Sequence, residues 1–561
     1  MNIRIGTRAS NLAIWQATKV QQLIEKNGYK TEIVKITSDG DRSVGGDLSS
    51  NLGQFTSTLD DKLMEKDIDI AVHSSKDVPV DNRLEIVNLA YLTRGETSDI
   101  ILFNKKNKKK CLEKLLRNKS VTSLEKIMRI MPDGGKLGTS SVRRQAFFLS
   151  RRNDIIPIAV RGKVETRIQK LIQNDVDAIV LAEAGLKRLM SINCLSKQAL
   201  ELESYRISPE DWPTAPGQGA ICVHCLQDKY DEFNELRLIL NDNQTETDVE
   251  LEKRILLELG GGCQYPIGVE SRKGIIDGMI APNNWRELYS SGNNYSLQEI
   301  NEKSNLKELN LITTVNNNTI DYTKRKIVST LNSDRLRSSL LNVGIPISNI
   351  PVIKLEAIPK NWPEIKIDNS SDKSEWPILI LTSPFAAKAA CEMISERPNL
   401  QRIMWLAMGE GTARACFRFE NPASICADSR DKDELLKYIS NEISKDKILY
   451  IPMSNLSTMD FVNELRKIGY HVISWDAYTN TPIKVKNIEI NKEDVLLISS
   501  PSSAKSWIGN GLTVPDNVLC MGNLTKTTIE VLDSFKQSEI RVLDGPTFSK
   551  IVDWWEKEMV D

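Results

Sequence analysis

The sequence predicts an α/β protein of several lobes: two α/β domains, a small α+β domain, and then a further two-lobed α/β module. Three observations carry this. Short apolar alternations of strand type are repeatedly followed by stretches with apolar residues three and four apart, the rhythm of sheets layered with helices. A chain of 561 residues is too long for one core at roughly 150 residues per domain. A polar stretch, Asn316–Asn318 and the charged residues to Lys326, separates two such series, the second beginning at Ile327. The net charge of −1 gives no global attraction to nucleic acid, so any basic site must be local. No run of about 18 apolar residues offers a spanning helix. The first residues, MNIRIGTRAS, enter a strand without the apolar core of an export signal. Nine scattered cysteines without a secreted-type framework suggest reduced thiols and a cytoplasmic home.

In chain order, Asn2–Thr7 reads as a strand and Leu12–Asn27 as a helix, with Ser10 as N-cap and Gly28 as its stop. Arg8 falls on the turn between them, beside a helix N-terminus that attracts anions. Residues 29–37 form a second strand, and Ser38–Gln54 a loop rich in Gly, Ser and Asp. A short helix opened by Ser57 leads into Asp67–Pro79, DIDIAVHSSKDVP. There Ile68, Ile70 and Val72 alternate with Asp69, Ala71 and His73, and a turn follows, carrying Lys76 and Asp77. A carboxylate just past the carboxyl end of a strand stands where open sheets put their ligands. The plainer reading is turn chemistry, since Asp near Pro is ordinary there.

Three later strand-to-helix junctions carry arginine. Lys136–Gln145, KLGTSSVRRQ, puts Arg143 and Arg144 in a first helical turn, with serines as N-cap candidates. Cations there oppose the helix dipole, which makes sense if an anion lies between them. The alternative is a surface pair reaching carboxylates elsewhere. Ile155–Val160 ends at Arg161, with Arg167 early in the next helix, and Asp177–Ala182 leads to Lys187-Arg188. No Walker loop is present, and arginine forks suit carboxylates, so the local chemistry points to a polycarboxylate ligand. The run Asn104–Lys110 reads as a solvated loop and the helical stretch behind it, to about Met131, as an insertion.

Pro213–Ala220, PTAPGQGA, is a tight turn returning the chain to the first sheet, and Cys222-x-x-Cys225 reads as strand cysteines. No second CxxC or matching histidine cluster accompanies them, so no metal site is expected. A helix from Thr247 to Leu259 ends in Gly260-Gly261-Gly262, leaving Cys263 on a flexible tip, a poor place for a core residue. From Ile327 onward strands recur at Ile350–Leu355, Ile378–Thr382, Met404–Met408, Ile448–Ile451, His471–Trp475, Val495–Ile498 and Val518–Met521. Asn361–Glu375 reads as a crossover linker. Ser383-Pro384, Gly409–Thr412, Ser500–Ser503 and Gly522–Thr525 place hydroxyls and glycines at strand ends.

The segments Thr7–Ser10, Trp15-Gln16, Ala71–Pro79, Gly138–Gln145, Arg161–Arg167, Ala184–Leu189, Pro216–Ala220 and Gly261–Gly268, in that order and spacing, closely resemble the porphobilinogen deaminase (hydroxymethylbilane synthase) family over residues 1–314. Residues 327–561 resemble the uroporphyrinogen-III synthase family through their strand order and Tyr478. The resemblance implies two periplasmic-binding-protein-like α/β domains (1–99 with 203–222, and 100–202), a small α+β domain (223–314), a linker (315–326) and a two-lobed synthase module (327–561). It implies a covalent dipyrromethane cofactor on Cys263 and a catalytic role for Asp77. Arg8, Ser10, Lys76, Ser141, Arg143, Arg144, Arg161, Arg167 and Arg188 would hold the acetate and propionate groups of cofactor and substrate. Four porphobilinogens would be condensed, with loss of ammonia, to hydroxymethylbilane. The second module, with Tyr478 as a catalytic candidate, would close that chain to uroporphyrinogen III while inverting the last ring. Partners are then small molecules, with no nucleic acid and no membrane, and a monomer is expected.

One departure is visible. The family's lysine-bearing Gly-Gly-Lys-Gly-Leu-Phe-like segment is replaced by Leu48–Phe55, LSSNLGQF, in which only Gly53 and Phe55 match. Two competing readings remain: a non-enzymatic anion-binding protein, which would have no use for Cys263, and an active first half whose second half only docks partners.

Overall fold

In a computed structural model the described residues are 2–36, 56–80, 83–259, 265–290, 293–304, 306, 309, 325–332, 335–368, 375–486, 488–543 and 548–560. Two compact units result: Met1–Trp285 with Tyr295–Ile312, and Arg286–Asn294 with Thr313–Asp561. Among the described residues, no helix is long and apolar enough to cross a membrane. Cys263, the loop Ser38–Gln54, the departing segment 48–55 and the linker at 316–324 lie outside the described residues.

In the first unit, a five-stranded sheet runs in the order Lys30–Ile36, Asn2–Arg8, Ile70–Ser74, Ile221–Leu226, Ile86–Tyr91. Asn2–Arg8 pairs parallel with both neighbours, whereas Ile221–Leu226 runs antiparallel to the strands on either side. Ile3, Ile5, Ile70, Val72, Val223 and Cys225 line one core, which Ala17, Val20 and Ile24 of the helix Asn11–Lys26 cover. Burial on both faces explains why the central strand opens with three successive apolar residues, Ile70–Val72, before His73 and Ser74. Both cysteines of the CxxC are strand residues, buried and free, as expected.

A second five-stranded sheet has the order Ile156–Ile158, Lys136–Gly138, Ala178–Ala182, Asp99–Lys106, Leu202–Arg206. The chain thus enters this sheet between Tyr91 and Asp99 and returns to the first between Arg206 and Ile221. The expected boundary at 203 is corrected here. Leu202–Arg206 is held in the second sheet by its ladder to Asp99–Lys106 and by Arg206, whose guanidinium grips buried Glu183 at 2.5 and 2.6 Å. The boundary expected at 222 also shifts, because Ile221–Leu226 is one continuous first-sheet strand. A three-stranded antiparallel sheet, Ile267–Arg272, Ile275–Ile280 and Gln298–Ile300, follows the helix Asn243–Glu258.

The second unit contains two sheets. One has the order Ile347–Asn349, Ile327–Ser329, Val495–Ile498, Asn517–Cys520, Glu539–Val542, parallel throughout. The other runs Ile353–Ala357, His471–Pro482, Ile448–Ser454, Ile378–Leu381, Met404–Ala407, Ile425–Cys426. The strand His471–Pro482 extends well past the expected end at Trp475, because Ile353–Ala357 pairs antiparallel with its second half. Ile425–Cys426 and Glu539–Val542 are additional short strands whose alternation is too brief to read from sequence.

Candidate functional site

The strand Ile70–Ser74 ends in a single 3-10 turn, Ser75–Asp77, which Val78-Pro79 terminates. Neighbouring segments hold that turn tightly. Gln16 donates to Ser74 Oγ at 2.8 Å, and the Ser75 N–H donates to the Ala220 carbonyl at 3.1 Å. Gly217 adopts φ +73°, and a Cβ there would stand 2.6 Å from Ser75 Oγ and 3.2 Å from the Lys76 nitrogen, so only glycine lets PTAPGQGA close over the turn. Lys76 Nζ donates to Gln218 Oε1 at 3.2 Å. Burial pushes the Lys76 ammonium down to about 8, with Arg144 adding to the effect and Asp77 and Asp99 opposing it.

Arginines gather around the same place. Arg167, in the helix Val164–Ile172, donates from Nε to the Gly162 carbonyl at 2.9 Å. Its guanidinium is pushed down to about 10, first by burial, then by Arg144, Arg161 and Arg8, against the pull of Asp77. One electrostatic field therefore joins Arg8, Asp77, Arg144, Arg161 and Arg167, residues far apart in sequence. Arg188 donates to the Gly219 carbonyl at 2.6 Å and lies over the Trp15 ring at 5.4 Å, and burial lowers its pKa to about 10. Ser10 and Ser141 accept from the backbone N–H groups of Ala13 and Arg144, at 3.3 and 3.5 Å, capping the helices that carry Trp15-Gln16 and the arginine pair.

The adjacent pair Arg143 and Arg144 needs a correction. An anion does lie between them, but it is Asp99, from the first residue of the strand Asp99–Lys106. Arg143 reaches Asp99 Oδ2 at 2.5 Å and Arg144 reaches Oδ1 at 2.6 Å, with all three side chains buried. The remaining contacts are the Pro213 carbonyl for Arg143 and the Val180 carbonyl for Arg144, at 3.0 and 2.8 Å. Trp212 Nε1 and Gln218 Nε2 complete the carboxylate's shell at 2.9 and 3.0 Å. Of the two sequence readings, carboxylate pairing within the chain is the observed one, buried instead of on the surface. Asp99 carried no sequence signal beyond two arginines in need of a counter-ion. Glu252 was missed likewise: fully buried, it pairs with Arg94 at 2.7 Å and accepts from the Gly217 N–H at 2.7 Å, bracing the glycine turn.

In the second unit, Tyr478 lies on the strand His471–Pro482, nearly buried, with its hydroxyl 3.0 Å from Ser383 Oγ and its ring 5.0 Å from Phe385. Burial raises its pKa, and the Ser383 contact lowers it less. Two residues on, Asn480 donates to Ser502 Oγ at 3.0 Å. Thr330, Ser499, Ser500, Ser502 and Ser503 form a chain of hydroxyl contacts of 2.9–3.1 Å. Ser383, Gly409, Ser500 and Gly522 are the N-caps of four helices that follow strands, as their sequence places suggested.

Comparison with known proteins bears on both units. Residues 3–233 match the family model described as porphobilinogen deaminase, dipyromethane cofactor binding domain, and residues 334–552 match that of uroporphyrinogen-III synthase HemD. A porphobilinogen deaminase of Syntrophomonas wolfei is 35% identical over 309 residues, covering 54% of this chain and 92% of the relative. The chain belongs to the porphobilinogen deaminase family. A probable porphobilinogen deaminase of Methanocaldococcus jannaschii is 36% identical over 271 residues, covering 47% of this chain and 81% of its own length. Among solved structures, a uroporphyrinogen-III synthetase from Helicobacter pylori aligns with a TM-score of 0.30 at 15% identity, over 42% of this chain and 100% of that one. The chain thus joins a deaminase with its dipyrromethane-binding domain to a uroporphyrinogen-III synthase domain, a bifunctional tetrapyrrole-biosynthesis enzyme.

The residues present suit a polycarboxylate cofactor. Lys76 and Arg167 have pKa values depressed in part by neighbouring cations, a strain that acidic side chains would relieve.

Proposed function

We propose that Asp77 is the catalytic carboxylate of the deaminating condensation, that Cys263 anchors the cofactor, and that Arg8, Lys76, Arg161, Arg167 and Arg188 bind the acidic side chains. Arg143 and Arg144 then act chiefly as the buried frame, with Asp99, on which the cation cluster is built. The observation that carries this is the shared field of Asp77 with Arg8, Arg144, Arg161 and Arg167. When bound, dipyrromethane supplies a nucleophilic pyrrole carbon as primer. Asp77 faces the one cationic part of an otherwise anionic substrate, its aminomethyl group. Its carboxylate can hold that ammonium, stabilise the charge left when ammonia departs, and receive the proton the ring loses after carbon–carbon bond formation. The surrounding cations keep the carboxylate side chains outward and in register, which makes each round a repeat of the same geometry.

For the second unit, the reading is that Tyr478 positions the linear tetrapyrrole for ring closure, with the strand-end hydroxyls and helix N-termini around its carboxylates. A cytoplasmic monomer acting without nucleic acid remains part of the proposal.

The test uses the full chain carrying Asp77→Asn, loaded with cofactor. Single-turnover release of ammonia should fall by at least about a hundredfold, the scale of a lost acid–base group. Intact mass should still show the cofactor increment, which Cys263→Ser should remove. Supplied with hydroxymethylbilane, the same Asp77→Asn protein should still form the type III isomer. Ammonia release within about tenfold of the parent would return Asp77 to an ordinary turn aspartate.

A further inference from the structure

The chain has only three histidines, and two of them, His73 and His224, lie buried side by side with ring centroids 4.9 Å apart. Their register explains the meeting. His73 pairs with Cys222 and Ala71 with His224 across adjacent antiparallel strands, so both imidazoles stand on one face of the first sheet. The helix Ser57–Met64 packs on that face through Leu59 and Leu63, and it brings Asp60 to the pair. One ligand atom from each of Asp60, His73 and His224 lies within 4.8 Å of the others. His73 and His224 are 5% and 2% exposed, yet His73 Nε2, both His224 nitrogens and Asp60 Oδ1 have no hydrogen-bond partner among the described residues. Buried polar atoms are rarely left so, and three residues that each bring a donor atom to one place ask for an occupant.

We propose that Asp60, His73 and His224 form a binding site for a divalent transition-metal ion of the zinc type. Two imidazoles and a carboxylate are a zinc-like donor set, too rich in nitrogen for magnesium or calcium. Burial pushes the His73 imidazole down to about 3 and that of His224 well below its ordinary value, which leaves both neutral, the form that ligates. Lys253 and Arg8 add positive charge nearby, and Asp60, whose carboxyl burial pushes up to about 6, would supply the compensating anion once the ion binds. Ligand bonds of ~2.0–2.1 Å need donors about 3.4 Å apart in a tetrahedral shell, a closure that side-chain torsions can make. The fourth position would be held by water. The ion would tie the helix Ser57–Met64 to the strand Ile70–Ser74, whose His73 stands four residues before Asp77.

The test is a titration of the tag-free, chelator-treated full chain with Co2+, followed by competition with Zn2+. The expected result is one equivalent of Co2+ with the visible absorption of a four-coordinate site, no near-ultraviolet sulfur-to-cobalt bands, and displacement by Zn2+. His73→Gln and Asp60→Asn should each weaken binding by at least about tenfold, the loss that even an outer-shell change brings. His471→Gln, at the exposed third histidine, should leave it unchanged. If His73→Gln fails to fold by circular dichroism, Asp60→Asn at its half-buried position gives the same reading. No stoichiometric uptake by the native chain overturns the proposal. So does uptake undiminished in the folded variants, or uptake with sulfur charge-transfer bands that survive them.

Discussion

On the proposed reading, the two units would meet acidic ligands with different chemistry. At its strand ends the first unit presents Arg8, Lys76, Arg161 and Arg167, and burial, with neighbouring cations adding to it, pushes Lys76 and Arg167 well below their ordinary pKa values. The second presents Ser383, Tyr478, Asn480 and the Thr330–Ser503 hydroxyl chain, with helix N-termini capped by Ser383, Gly409, Ser500 and Gly522. Full charges bind carboxylates strongly but are slow to let go, whereas hydroxyls and backbone N–H groups bind more weakly. A unit that must retain a growing chain through successive condensations suits the first arrangement. A unit that takes one linear chain, closes it and releases it suits the second.

The charged arrangement has a cost that the hydroxyl one avoids, and Asp99 exposes it. Asp99→Ala would leave Arg143 and Arg144 buried together without their anion, a loss of about 3–5 kcal/mol on the scale of broken buried pairs. Chemical denaturation should show that loss in the first unit, with the second unit's ring closure retained under native conditions. The two guanidinium groups hold the Asp99 carboxyl far below the usual range against the opposing effect of burial. Because the folded-state pKa is depressed, the stabilisation is full above the unfolded value of ~3.9 and is lost as pH falls below it. Acid should therefore destabilise the parent below about pH 4 and the variant much less.

The functional half of the cluster should behave in the opposite way. Arg167→Ala removes a cation whose neighbours repel it, so stability should hold while KM for porphobilinogen rises, roughly tenfold for a lost charge-assisted contact of about 1.5 kcal/mol. An equal loss of stability and of binding would place Arg167 with Arg143 and Arg144 in the frame. Lys76 adds a pH signature. Burial and Arg144 bring its ammonium down to about 8, so the affinity for acidic substrate should be level below that pH and fall as pH rises through it. For folding the sign reverses: the buried ammonium is a burden below about 8 that fades as pH rises toward the unfolded value of ~10.4. Lys76→Met should flatten the binding profile above pH 8.

Much of this contrast was legible in the sequence, and the rest was hidden for definite reasons. Arginine after the three mutually parallel strands of the second sheet, serine before the helices Asn11–Lys26 and Val142–Leu149, and the Asp77 turn all follow from local pattern, because strand period, capping and turn chemistry are local. Asp99 and Glu252 were invisible because their meaning lies in partners more than 40 residues away, and a single acidic residue at an element's edge looks the same whether buried or wet. The His73–His224 pair was hidden for a related reason: strand register, not spacing, brings the rings together. The length of His471–Pro482 was underestimated because its polar second half, Asp476–Thr481, is stabilised by the ladder to Ile353–Ala357 more than by burial.

The smallest effect is expected at Tyr478, and it sharpens the comparison most. The tyrosine hydroxyl shares a 3.0 Å contact with Ser383 Oγ, and that same oxygen caps the helix Pro384–Glu392 by accepting from the Ala386 N–H at 3.1 Å. Removing the phenol oxygen leaves the cap in place and the ring packed on Phe385, so the fold should not change. A neutral hydrogen bond is worth about 0.5–1.5 kcal/mol, which limits the loss to roughly two- to tenfold. Tyr478→Phe should therefore lower the rate of type III formation from hydroxymethylbilane within that range and leave deamination by the first unit untouched. A loss beyond about a hundredfold would mean that the hydroxyl transfers a proton in the reaction, since acid–base catalysis operates on that scale. The buried phenol, with its pKa raised, is in its neutral form across the working pH range, so the profile of the parent should show no step from this group. A step that Tyr478→Phe abolishes would give the second unit a titrating residue of its own and remove the contrast with Lys76.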